Sequence, residues 1–134
     1  MKNILDPQYK EELINRIKKV DGSAKAQWGK MNVDGMICHV TDQIRMAMGI
    51  MQTEFIGNRL STTLLKWLAL TILPIPKGKI ETVKELKQGV GGTKPADLET
   101  DKQTLINLLQ EFDKSFNGIK FRVHPAFGKL NFKQ

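Results

Sequence analysis

The stretch 28–55, WGKMNVDGMICHVTDQIRMAMGIMQTEF, constrains this chain more than any other. Val33, Met36, Ile37, Val40, Ile44, Met48, Met51 and Phe55 recur in it at helical spacing, sustained over about six turns. Asn32 stands in front of them as a good N-cap. Asp34 puts negative charge in the first turn, where unpaired N–H groups favour it. The pattern predicts one long helix over 32–55 with one buried side, and the rest of the chain must supply what that side packs against. His39 falls roughly 120° from the centre of the stripe. It lines up instead with Gln43, Met46 and Ile50. An imidazole on the flank of a buried face sits where a bundle interior meets water, which suits a metal ligand or a general base. A single His on an amphipathic helix is more usually a structural or surface residue, and periodicity does not separate the two.

The partners follow from the same rules. A first helix is predicted over 6–20, with Asp6 as cap and Pro7 at the first helical position, where a missing N–H costs nothing. Its stripe is Tyr9, Leu13, Ile17 and Val20, and Asp21-Gly22 stops it. A connector with Trp28 leads to the long helix, which Gly57-Asn58 ends. The segment LSTTLLKWLALTIL over 60–73 is apolar nearly all round, suggesting a helix covered on more than one side. It is too short to span a bilayer and carries Lys66 in its middle, so no membrane is expected. A long connection follows, with PIPKGK and GVGGTKP. Gly89, Gly91 and Gly92 lack the Lys-Ser/Thr ending and the preceding strand of a phosphate cradle, so this run reads as loop. A last helix is predicted over 97–117, capped by Asp97, with Leu98, Leu105, Leu108, Leu109, Phe112 and Phe116 as its stripe and Asn117-Gly118 as its stop. No segment alternates apolar and polar for long, so the fold class is all-α.

A chain of 134 residues fits a single domain over 1–134. One cysteine excludes an internal disulfide and points to a reducing compartment. The N-terminal residues carry charge where a signal peptide needs an apolar core, so a cytoplasmic location is expected. The formal net charge is +7, but the lysines are scattered among acidic residues without interleaved aromatics. No nucleic-acid partner is therefore expected.

Three segments together, WGKMNVDGMICHVTDQ, DLETDKQTLINLLQEF and HPAFGKL, resemble the DinB/YfiT-like superfamily, most closely a bacterial branch of unknown function. The first and third segments are fairly specific as a pair, and the resemblance covers most of the chain. It implies a four-helix bundle. It also implies a divalent metal, zinc or nickel, held by three histidines, one on the second helix and two on the last, four residues apart. Three imidazoles leave an open coordination position, and the metal lowers the pKa of what binds there, a thiol cofactor or water. The implied activity is that of a hydrolase or a thiol-dependent transferase.

His39 matches the ligand of the second helix. The chain departs from the pattern at its other end: Gln134 comes where relatives begin the final helix, so that helix is expected to be missing or truncated. His124, before Pro125, is the remaining candidate ligand, although a His-Pro pair equally shapes a turn. A longer protein, a short form that has lost the metal, and a neighbouring chain supplying the missing wall all fit. The expectation is weak or absent binding of a divalent metal, with Gln43 beside His39 and Asp42 able to orient its ring. Cys38 points about 100° away from His39 and makes no nucleophile pair with it. The substrate is not legible. The competing reading is a non-catalytic bundle that binds a small apolar ligand or a protein partner, with Met36, Met46, Met48 and Met51 as lining or as plain core filling. An absent fourth helix would leave a groove lined by Ile44, Met48, Leu105 and Phe112. A homodimer with Leu64, Trp67 and Leu68 near the contact is the expected cover.

Overall fold

The structure is a computed structural model that describes residues 4–27, 29–52, 87 and 89–115. The described residues form three helices and no strand: α1 (Pro7–Lys18), α2 (Val33–Ala47) and α3 (Leu98–Ser115). All-α is therefore the class of what is described. The 60–73 helix, Trp28, Phe116, the Gly57-Asn58 stop and His124 lie outside these residues. So do Leu64, Trp67 and Leu68.

Each helix starts where its cap says. Asp6 accepts from the N–H groups of Gln8 (3.0 Å) and Tyr9 (3.4 Å). Asn32 accepts from Gly35 at 2.9 Å. Asp97 takes both the N–H (3.0 Å) and the hydroxyl (2.9 Å) of Thr100. Each bond from a backbone N–H satisfies one of the donors a helix start leaves unpaired.

α2 ends earlier than expected, at Ala47 instead of residue 55. Gly49 takes φ +74, a left-handed conformation that glycine adopts without the Cβ penalty. Its N–H returns to the Met46 carbonyl (2.9 Å), and the Ile50 N–H returns to Arg45 (2.8 Å). These two bonds close the last turn and send the chain off the helix axis. The apolar spacing of Met48 and Met51 runs on past this stop, which is why periodicity overshoots it.

The packing centre is α3, which lies against both α2 and α1; α1 and α2 do not pack backbone to backbone among the described residues. The long helix expected to organise the chain is thus one of two flanks. Lys102, Leu105, Ile106 and Leu109 form the buried stripe of α3. Together with Ile14, Ile17 and Ile37, its three apolar members make the core, against which Ile4, Leu13, Val40, Ile44 and Leu98 pack. Burying a side chain of this size stabilises by about 1.5–3 kcal/mol.

The buried side of α2 is turned about a quarter of a revolution from the apolar stripe. Ile37, Cys38, Thr41 and Asp42 are buried, whereas Met36, expected inside, is exposed. Hydropathy misses this because buried polar groups are tolerated once bonded. The Thr41 hydroxyl donates to the Ile37 carbonyl at 2.8 Å, and Asp42 finds partners far along the chain.

Candidate functional site

α2 carries His39, the one histidine among the described residues, half-buried on the flank of the helix. Gln43 stands one turn further on, and its Nε2 lies 3.5 Å from the His39 Nε2. The expected pairing of these two side chains is present. Four residues along a helix bring side chains onto the same face, which is why it could be read from spacing.

Asp42 does not orient the imidazole. Its carboxylate is fully buried and faces the connection that precedes α3. Thr93 donates its N–H to Oδ2 (2.8 Å) and its hydroxyl to Oδ1 (2.7 Å). Arg45 approaches Oδ1 at 3.3 Å as an ion pair one turn away, and its Nη1 also reaches the Thr93 hydroxyl at 3.2 Å. A buried carboxylate needs this company, since an unpaired charge without water is costly.

Cys38 is 2% exposed. Burial pushes its thiol up to about 11, and the neighbouring Asp101 and Asp42 carboxylates reinforce this, Asp101 also through a hydrogen bond. A thiol held protonated is a poor nucleophile at neutral pH. Asp101 in turn accepts the Ala96 N–H at 3.0 Å.

The other expected features sort plainly. The N–H groups of Val90, Gly91 and Gly92 all converge on the Lys87 carbonyl at 3.0–3.2 Å, so the glycine run closes a turn on itself and offers no open phosphate cradle. Met46 and Met48 are core filling, and Met36 is exposed, so the methionines do not share one lining. Of the residues expected to line a groove, Leu105 and Met48 are buried within the single chain and Ile44 and Phe112 are half-buried. Thr93, Arg45 and Asp101 were not singled out by sequence reasoning. The only hint lies in Asp42 itself, whose Arg45 partner stands three positions on along the same helix.

Among the described residues no group of three His, Cys, Asp or Glu side chains could hold a metal ion. None of the described helices is long and apolar enough to cross a membrane. No protein-family model, curated protein or solved structure matches the chain.

Proposed function

We propose that this chain is a DinB/YfiT-like helical bundle that works by binding a protein partner, the simplest being a second copy of itself, and not by chemistry at His39. One observation turns the reading away from chemistry at His39. Cys38 and Asp42, the metal-capable side chains nearest His39 in α2, are both buried in other bonds, one protonated against Asp101 and one clamped by Thr93 and Arg45. Metal ligands must be deprotonated and must converge; the Cys38 thiol is held protonated and the Asp42 carboxylate is turned to Thr93 and Arg45. Of the three histidines that the resemblance implies, the described residues include one, His39.

Metal analysis of the full chain after extensive dialysis tests this, with His39→Ala alongside. No retained zinc or nickel is expected. A stoichiometric ion that disappears in His39→Ala would overturn the binding reading. Sedimentation equilibrium at micromolar concentration tests the partner: a dimer is expected, and a cooperatively folding monomer would remove the self-association.

A second reading is favoured by the pairing of His39 with Gln43 at the edge of the buried face. In it the protein is a metal-dependent hydrolase or thiol-dependent transferase. His39 is then the ligand from α2, and His124 and further groups from outside the described residues complete the zinc or nickel shell.

A further inference from the structure

Asp42 on α2 and Asp101 on α3 do parallel work on one short piece of chain. Asp42 holds Thr93 by its N–H and its hydroxyl, and Asp101 holds Ala96 by its N–H. Residues 93–96 are themselves exposed, yet the Asp42 carboxylate beneath them is 0% exposed. Cys38, itself 2% exposed, lies one helical turn before Asp42 on the same side of α2. The chain on either side is firmly held. Before it, three N–H groups close the 87–92 turn on the Lys87 carbonyl; after it, Asp97 caps α3. The four residues are therefore a short span between two fixed points, tied down at each end by one carboxylate.

We propose that residues 93–96 form a strap that closes Cys38 off from solvent, latched by Asp42 at Thr93 and by Asp101 at Ala96, and that it opens locally while the three-helix core stays folded. Local opening is the expected behaviour of a segment with exposed side chains and few apolar contacts. The core that remains, Ile14, Ile17, Ile37, Leu105, Ile106 and Leu109, contains none of its residues. The Arg45–Asp42 pair within α2 keeps the carboxylate partnered when Thr93 leaves, so the open form carries no unpaired charge.

Cys38 is the only cysteine of the chain, so a thiol reagent reads one site. The experiment follows the rate of 5,5′-dithiobis(2-nitrobenzoate) labelling of the full chain from zero to moderate urea, in wild type, Thr93→Val and Thr93→Ser. Local opening makes the wild-type rate nearly independent of urea below the unfolding transition. Thr93→Val removes one hydrogen bond to a charged group and should speed labelling about tenfold or more, whereas Thr93→Ser should restore the slow rate. Amide exchange in the wild type is a second reading that needs no variant. The Thr93 and Ala96 N–H groups should open together and well before those of Leu105 and Leu109. A labelling rate that rises with urea as steeply as global unfolding would overturn the strap. So would Thr93 and Ala96 amides that exchange only with the core.

Discussion

Lys102 and Asp42 are both buried charges on helices that meet at the core, and they are held in different ways. Lys102 Nζ donates to the carbonyls of Lys18 (3.0 Å), the last residue of α1, and Val20 (2.8 Å), just beyond it, and to Glu99 (2.8 Å) on its own helix. An ammonium has three donors, and these three acceptors use them all. Its positive charge sits where the α1 dipole is negative. Asp42 instead takes two bonds from Thr93 in an irregular connection and a longer one from Arg45. The cation thus joins helix to helix, whereas the anion joins helix to loop. One belongs to the folding unit; the other can let go without it.

The widest test of that contrast removes what both sides share. Leu105, 1% exposed, is in the core where α3 meets α1 and α2. Leu105→Ala should cost about 2–5 kcal/mol, the range for emptying a well-packed leucine site. In urea, circular dichroism should still show one transition; two separate transitions would show that the α1 and α2 sides are independent.

Next in size is the buried thiol. The Cys38 pKa is raised to about 11 from 9.0, so the folded state favours the protonated form. The unfolded chain ionises first as pH rises, and stability present below pH 9 is lost progressively up to about pH 11. The loss should reach about 2–3 kcal/mol. Cys38→Ala should flatten this limb in urea melts taken between pH 8 and 11, and an unchanged slope would mean the thiol is not what titrates.

Replacing the two charges sharpens the comparison directly. Lys102→Met keeps the stem and removes the donors, leaving the Lys18 and Val20 carbonyls to water; about 1–2 kcal/mol of global stability should go, read as a lower urea midpoint. Thr93→Val should move that midpoint less than Lys102→Met does, because its bonds tie down a segment outside the core. If it costs as much as Lys102→Met, the division between folding unit and strap fails.

These contacts also mark where sequence reading stops. Helix starts were legible because a cap acts on its neighbours: Asp6, Asn32 and Asp97 each bond within three residues. The His39–Gln43 pair was legible for the same reason. The Thr93 bonds to Asp42 and the Lys102 bonds to Lys18 and Val20 join residues far apart in the chain, and no local pattern announces them. They also explain why the buried side of α2 departs from its apolar stripe. A hydropathy pattern scores Cys38, Thr41 and Asp42 as poor core residues, yet each is buried with a partner. Ile106 and Ile14 were passed over because the stripes drawn on α3 and α1 were off-centre: on α1, Tyr9 and Leu13 stand one position before the buried Lys10 and Ile14.

The end of α2 gives the smallest and most local effect. The stripe from Val33 to Phe55 favours continuing the helix, and Gly49 alone turns the chain away, at φ +74. Any other L-residue there must either hold a left-handed conformation or extend α2 by a turn. Gly49→Ala should therefore cost about 1 kcal/mol. Gly49→Asn should cost less, because asparagine tolerates that region better. The alternative response is also measurable. If the apolar stripe wins, the alanine variant gains helical ellipticity and stability together, and the closing bonds from Gly49 to Met46 and from Ile50 to Arg45 are lost. Circular dichroism with a urea melt separates the outcomes. A less stable protein of unchanged helicity means the glycine cap sets the length of α2, and a more stable, more helical one means the stripe was held in check by one residue.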